Sequence, residues 1–395
     1  MQETYIVDSV RTAVGRMGGA LKTVEVDFLA EKVIREALKR TNPELKVDEV
    51  ILGQAKQSAD TSNLGRVAAL RAGLPEEVTG YTVHRQCGSG LQAINNADMQ
   101  IKLGLSDVVV AGGAESMSTA PYYIRNARYG YRAGNGLLLD PNTESQPCSQ
   151  PREKYGDLTM GYTAENLAEK YGISRQEQDE FAHRSQVLAD EAIKSGRFEK
   201  EIVPYEVKER KQTVEFKIDE HPRLTSVEKL STLPAVFKEG GSVTPGNASG
   251  RNDGAAAVVM MSGDKVKEYG LKPKAKIIAQ AVSGVGPDIM GIGPVYSTEK
   301  ALKQCGLKID DIGLIELNEA FAAQALSVIR ESKMDPEKVN VNGGAIALGH
   351  PIGATGAILM TKLLHEMERR GEKYGLVTLC IGGGQGISTI VEYLD

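Results

Sequence analysis

Short apolar runs and amphipathic segments alternate in the first part of the chain. Residues 48–52 and 81–83 are strand-like, and a glycine-rich turn leads into a helix predicted over 89–103, with Gly104 just beyond its end. The continuous apolar run 108–113 is typical of a buried strand. Together these segments predict one α/β unit.

The last part of the chain repeats this order. Residues 311–315, 339–341 and 376–383 match the three strand-like segments one after another, and a helix predicted over 355–370 again follows a glycine-rich turn. We interpret the repeat as a duplication, in which two related halves pack with their glycine turns facing a shared cleft.

The middle of the chain follows a different pattern. It contains stretches rich in Pro, Gly, Asn and Ser and one clear helix over 174–194, which opens with a capping box. A segment this long is not a simple loop. We therefore predict an inserted lid subdomain over 121–250, an N-terminal half formed by 1–120 with 251–270, and a C-terminal half formed by 271–395.

Composition narrows the class of protein. The chain has 395 residues, 41% of them hydrophobic and 25% charged, and its net charge of −5 argues against a dedicated nucleic-acid binder. No apolar run approaches the ~18 residues of a membrane span, and no secretory leader is recognisable. The four cysteines have neither disulfide-framework nor metal-ligand spacing, so we expect a cytoplasmic protein without a metal or a membrane partner.

Cys87 stands between a predicted strand and a predicted helix, in the sequence HRQCGSG. A helix N-terminus stabilises a thiolate and the glycines permit an exposing turn, so Cys87 is a candidate nucleophile; the alternative is a small core residue. The same turn fits the G-x-G-x-x-A dinucleotide pattern. However, Asp107 precedes the next strand instead of ending it, so we do not favour a nicotinamide site.

Three more residues carry candidate chemistry. His350 lies on the second glycine turn, where a base near a thiol would serve nucleophilic catalysis; alternatively it bonds to the turn backbone. Cys380 ends an apolar run before glycines that predict a hairpin into a strand over 387–393, and by itself it suits a core cysteine. Asn318 by itself suits the N-cap of a helix that runs to about Arg330.

Five blocks in order resemble the thiolase family: CGSG at 87–90, GNASG at 246–250, NEAF at 318–321, NGGAIALGHPIG at 342–353 and CIGGG at 380–384. Each block is weak alone, but all five in family order are specific. A related decarboxylating ketoacyl synthase would have His in place of Asn318 and no thiol at Cys380. The resemblance implies an α/β fold of duplicated units in five layers, α-β-α-β-α, with an inserted lid subdomain.

The resemblance implies a reversible Claisen condensation of acetyl-CoA, or thiolytic cleavage of 3-ketoacyl-CoA, through an acyl group on Cys87. His350 would take the proton of Cys87, and Cys380 would act as acid and base at the α-carbon. A water held by Asn318 would help His350 to polarise the acetyl thioester. The N–H groups of Cys87 and Gly382 would form an oxyanion hole.

The resemblance also implies the substrate contacts and the assembly. No cofactor would stay bound; CoA and acetyl-CoA are substrates, and a homotetramer built as a dimer of dimers is expected. The acyl group would lie near Met160 and Met290. CoA would lie along the lid, against Arg223, Phe237, Ser249 and Phe321.

Two residues depart from the family pattern. His84 stands where the family usually has Asn, and Thr159 stands where acetoacetyl-CoA-specific members have His before Met-Gly. Because of the second departure, 3-ketoacyl-CoAs longer than acetoacetyl-CoA also remain candidate substrates. The alternative function is a non-catalytic acyl-CoA or lipid carrier on the same scaffold. Such a carrier could dispense with Cys87, His350 and Cys380, so the presence of all three favours the enzyme.

Overall fold

Two sheet halves with the same strand order form the frame of this computed structural model, which describes residues 2–208 and 212–394. In each half, the first three neighbouring strands are antiparallel and the last three are parallel. The N-terminal half has, in spatial order, Thr4–Thr12, Asn252–Ser262, Val108–Ser116, Glu49–Gly53 and Thr79–Val83. The C-terminal half has Ala275–Gly284, Gln385–Tyr393, Tyr374–Ile381, Leu314–Leu317 and a single parallel bridge at Val339.

Helices separate and cover the two sheet halves. Ser89–Lys102 and Thr355–Arg370 lie between them, because their apolar residues share one buried cluster with strands of both halves. A helix between two sheets is buried on nearly all sides, and 12 of the 16 residues of Thr355–Arg370 are buried. The outer helices are Val26–Thr41 and Leu64–Arg71 on one side and Gly293–Cys305 and Ala322–Glu331 on the other. The result is the expected five-layer fold.

The middle segment adds short elements above the cleft. Its helices are Pro141–Glu144, Arg152–Tyr155, Met160–Tyr171, Arg175–Lys194 and Val227–Ser231. Its strands are Tyr123–Ile124, Leu138–Leu139, Ile202–Val203, Tyr205–Lys208 and Thr213–Phe216. Elsewhere the structure has the strand Gly15–Arg16 and the helices Gly263–Glu268 and Ala345–Leu348. Short 3-10 helices span Ala59–Thr61, Ala127–Tyr129, Pro147–Ser149, Pro287–Ile292, Ile309–Asp311 and Pro336–Lys338. Among the described helices, none combines the length and apolarity that a membrane crossing requires.

Asn318 is not a helix N-cap, which corrects the structural alternative drawn from the sequence. The helix is Ala322–Glu331, and Phe321 occupies the N-cap position without a side-chain hydrogen bond. Residues before it stay extended because Phe321 forms a bridge with Ala248, and the Ala322 N–H donates to the carbonyl of Asn247 at 2.9 Å. This tertiary pairing overrides the local capping preference.

Candidate active site

Cys87 sits on a tight turn between the strand Thr79–Val83 and the helix Ser89–Lys102. Gln86, just before it, has a φ of 44°, in the left-handed region that residues other than glycine rarely adopt. The Ser89 hydroxyl fixes this conformation by donating to the Gln86 carbonyl at 2.6 Å and accepting from the Arg85 N–H at 2.8 Å. A conformation held in this way is typical of a functional turn, and it leaves Cys87 half-buried at a pocket.

Burial sets the protonation state of the Cys87 thiol. It raises the thiol's pKa, although hydrogen bonds from the N–H groups of Gly382 and Cys87 itself and the positive charge of Lys56 oppose the rise. The pKa of Cys87 is thus raised, whereas a helix N-terminus alone would lower it. Cys87 is therefore a neutral thiol at pH 7, and it needs a base before it can attack. The same two N–H groups can hold a negative oxygen beside the sulfur.

His350 is a buried imidazole with one free nitrogen. Its backbone N–H donates to Asn252 Oδ1 at 2.9 Å, and its Nδ1 lies 2.6 Å from Thr355 Oγ1. Because the Thr355 hydroxyl donates to the Pro351 carbonyl at 2.9 Å, it accepts from Nδ1–H, and Nε2 is left as the unprotonated, unpartnered nitrogen. Burial and the charge of Lys56 lower the pKa of His350 to about 4, so Nε2 is a free base at pH 7.

Cys380 and Asn318 lie behind the pocket wall. Cys380 is fully buried near the end of the strand Tyr374–Ile381, in an apolar cluster that includes Met290 and Phe321. Burial, followed by the nearby Cys87, raises the pKa of Cys380 well above the usual thiol value. Asn318 is also fully buried, and both polar atoms of its side chain lack a hydrogen-bond partner. A buried amide without partners is costly, which suits a residue that holds a water or substrate.

The structure gathers most of the predicted site residues around one open pocket. Eight of the eleven predicted residues line it: Cys87, Met160, Phe237, Ser249, Met290, Phe321, His350 and Gly382. Arg223 does not line the pocket, and its guanidinium donates to the Pro245 carbonyl at 3.1 Å. The described residues contain no group of three or more His, Cys, Asp or Glu side chains that could hold a metal ion.

Glu115 joins the turn after the strand Glu49–Gly53 to the glycine turn that carries His350, and the sequence analysis missed it. Its fully buried carboxylate accepts hydrogen bonds from the N–H groups of Ala55, Lys56 and Gly353 at 2.9, 3.0 and 2.8 Å. The turns touch closely here, since a Cβ on Gly353 would lie 2.6 Å from the Cα of Gln54. One signal was available, because Glu115 lies two residues after the apolar run 108–113, at the carboxyl end of a buried strand.

Comparisons with known proteins agree with this geometry. The family model for the thiolase N-terminal domain matches residues 4–264, and that for the thiolase C-terminal domain matches residues 271–393. An acetyl-CoA acetyltransferase of Syntrophomonas wolfei is 49% identical, with 100% of both chains covered. Among solved structures, the Bacillus anthracis acetyl-CoA acetyltransferase is 50% identical with a TM-score of 0.96, and it covers 100% of this chain and 99% of its own.

A second similar structure was solved with CoA bound. Human mitochondrial 3-ketoacyl-CoA thiolase in complex with CoA is 44% identical with a TM-score of 0.94, and the match covers 100% of this chain and 98% of the human one. Both family models and these full-length relatives show that the chain belongs to the thiolase family of acyltransferases.

Proposed function

We propose that this thiolase transfers acyl groups between CoA thioesters through an acyl-Cys87 intermediate. One observation carries the proposal: a neutral thiol on a strained turn faces two backbone N–H groups, in the same pocket as a buried imidazole with a free Nε2. A thiol, a separate base and an oxyanion site are the parts that acyl transfer to sulfur requires.

In the first half-reaction, His350 Nε2 takes the proton of Cys87 as the sulfur attacks the thioester carbonyl. The oxygen becomes negative and is held by the N–H groups of Cys87 and Gly382, which favour negative charge at the sulfur. Expulsion of the CoA thiolate then leaves the acyl group on Cys87. The departing thiolate needs a proton, which Cys380 supplies in this scheme.

In the second half-reaction, Cys380 removes a proton from the α-carbon of acetyl-CoA. The resulting enolate oxygen is stabilised by His350 and by a water held at the amide of Asn318, whose polar atoms are free for it. The enolate carbon attacks the acyl carbon on Cys87, and 3-ketoacyl-CoA forms as the Cys87–acyl bond breaks. Thiolytic cleavage is the same sequence in reverse.

The proposal also assigns the substrate contacts, the domains and the assembly. The acyl group lies near Met160 and Met290, and CoA lies along the lid against Phe237, Ser249, Phe321 and Arg223. The domain division is 1–120 with 251–270, 121–250 and 271–395. Two further proposals are a cytoplasmic location, which the sparse cysteines favour, and a homotetramer built as a dimer of dimers, which the family resemblance implies.

The proposal is tested by a CoA-dependent thiolysis assay with 3-ketoacyl-CoAs of several chain lengths, combined with intact-mass measurement of acetyl transfer from acetyl-CoA. We expect turnover together with a single acetyl group on Cys87. A protein that binds acyl-CoA tightly, never acylates Cys87 and shows no turnover would be a carrier, and this result would overturn the proposal.

Acylation of Cys87 should survive in mild acid. The pKa of His350 is lowered to about 4, so Nε2 stays unprotonated as the pH falls through about 6.5, the ordinary His value. The acid limb of kcat/KM should therefore lie well below pH ~6.5. The control is His84→Asn, which removes the histidine next to the Cys87 turn. This variant should show the acid limb of kcat/KM at the same pH as the wild type. A limb at the ordinary His value in both proteins would contradict the assignment.

The acyl pocket should accept more than a four-carbon 3-ketoacyl group. Thr159 is smaller than the His of acetoacetyl-CoA-specific members, and its hydroxyl caps the helix Met160–Tyr171 by accepting from the Tyr162 N–H at 3.3 Å. Six- and eight-carbon substrates should then be cleaved at more than about a hundredth of the acetoacetyl-CoA rate, a difference of ~2.7 kcal/mol in barrier. Thr159→His should narrow this range, and an unchanged chain-length profile would count against the idea.

A further inference from the structure

Three positively charged side chains are buried in the part of the chain that the structure describes: Arg11, Lys56 and Lys362, which are 1%, 7% and 3% exposed. Arg11 and Lys362 each have a carboxylate partner at 2.7–2.8 Å. Lys56 forms no ion pair within 4.0 Å among the described residues, and its ammonium donates to the hydroxyl of Ser145 instead. Burial lowers the pKa of Lys56, and the nearby Glu115 charge opposes this shift without a direct ion pair, because the Glu115 oxygens accept backbone N–H groups. A buried ammonium without a direct carboxylate partner is costly, so Lys56 requires an explanation.

Lys56 lines the pocket that holds Cys87, and its charge acts on that thiol. The backbone at this position is fixed, because the Lys56 N–H donates to Glu115 at 3.0 Å and the Lys56 carbonyl accepts from the Gln54 side chain at 3.3 Å. The hydrogen bond to Ser145 then holds the ammonium at the wall of the pocket that contains the Cys87 sulfur.

The pocket has one apolar wall and one polar wall. The apolar wall consists of Met160, Phe237, Ala248, Met290, Ala320 and Phe321. On the polar wall, the hydroxyl of Ser149 donates to the Ser145 carbonyl at 2.8 Å and accepts from the Gln86 amide at 3.3 Å, so these groups continue from Lys56 toward the Cys87 turn. A plain alkyl chain gives such a wall nothing to bind, whereas a chain with an anionic end does.

Resting on the thiolase function proposed above, we infer that the acyl group carried on Cys87 ends in a carboxylate, and that Lys56 binds this carboxylate. The substrate class is then a 3-oxoacyl-CoA with a carboxylate at the far end of its chain. The substrate carboxylate supplies the direct ion-pair partner that none of the described residues gives the Lys56 ammonium, and its tether to Cys87 keeps it within the same pocket.

The reaction balances without a further reagent. The Cys87 sulfur attacks the carbonyl carbon at position 3 as its proton passes to His350. The bond between carbons 2 and 3 breaks, and the released carbanion takes up one proton, in balance with the one that Cys87 lost, to give acetyl-CoA. The thiol of a second CoA then attacks the acyl-Cys87 carbonyl, its proton passes to the Cys87 sulfur, and a CoA thioester with a free terminal carboxylate leaves. The carboxylate on Lys56 is unchanged throughout.

The wild-type protein provides the first test. Thiolysis is measured with matched six-carbon and eight-carbon 3-oxoacyl-CoAs that differ only in a terminal methyl or a terminal carboxylate. We expect kcat/KM to favour the carboxylate at one or both lengths by about 10-fold or more. Equal or better cleavage of the methyl-ended substrate at both lengths overturns the inference and leaves the thiolase function standing. No thiolysis of any 3-oxoacyl-CoA, acetoacetyl-CoA included, overturns both.

Variants of Lys56 test whether this residue causes the preference for carboxylate-ended substrates. Lys56→Met should lower the ratio of kcat/KM for the carboxylate-ended substrate to that for the methyl-ended one by about 10- to 100-fold, and Lys56→Arg should retain most of it. The control, Lys154→Met, removes an exposed lid lysine and should leave the ratio unchanged. Thermal melting checks that each variant is folded. An equal fall for both substrates in Lys56→Met means that Lys56 acts on Cys87 and not on the acyl end, which also overturns the inference.

Discussion

Cys380→Ser should still take an acetyl group from acetyl-CoA onto Cys87, yet make acetoacetyl-CoA at least about 10²-fold more slowly than the wild type. Acylation needs the free Nε2 of His350 and the N–H groups beside Cys87, which are unchanged. Without the Cys380 thiol, the departing CoA thiolate takes the proton that His350 received from Cys87. Carbon–carbon bond formation also needs a base at the α-carbon. A serine hydroxyl fits the same buried space, but it is far less acidic than a thiol and cannot take that role.

Intact-mass spectrometry after mixing with acetyl-CoA reads the first half-reaction, and acetoacetyl-CoA formation reads the second. Cys87→Ala should fail in both. The matched control is Cys305→Ser, since the Cys305 thiol donates to the Ala301 and Leu302 carbonyls at the end of an outer helix and does not line the pocket. Near wild-type condensation by Cys380→Ser would make Cys380 a core cysteine and place the α-carbon base elsewhere.

Local patterns predicted the elements of the fold well. The helix Thr355–Arg370 was predicted at its observed bounds, because Gly371 ends it in a left-handed conformation with φ of 71°. The capping box that opens the helix Arg175–Lys194 was confirmed. The repeated order of segments predicted the duplication, and the two sheet halves indeed share one strand order.

Long-range pairing explains where the sequence analysis was wrong or silent. The strand predicted over 311–315 begins only at Leu314, because Ile309–Asp311 forms a 3-10 turn. Asn318 has good capping chemistry, but pairing with the lid keeps its segment extended. No local pattern shows that the Lys56 ammonium lacks a direct ion pair among the described residues, and none shows that burial outweighs the helix N-terminus at Cys87.

Glu115→Ala should be the most damaging change outside the thiols and His350. Its carboxylate accepts three backbone N–H groups from two turns, and one of these contacts spans 238 residues of sequence. Removing it leaves three buried donors without acceptors, so we expect a loss of roughly 3 kcal/mol or more in the free energy of unfolding. Because these turns carry His350 and meet the Cys87 turn, acetyl transfer to Cys87 should also fall by about 10²-fold or more.

Glu115→Gln tests which of the three hydrogen bonds to Glu115 matter most. One oxygen of the glutamine still accepts from Ala55 and Gly353, whose N–H groups share Oε2, but the new amide NH₂ faces the Lys56 N–H, so an intermediate loss is expected. Glu77→Ala, which removes an exposed carboxylate, is the control and should behave as wild type. Urea denaturation and acetyl labelling measure the two effects. If Glu115→Ala unfolded at the wild-type urea concentration and acylated Cys87 at the wild-type rate, the two turns would be held together by their glycine packing alone.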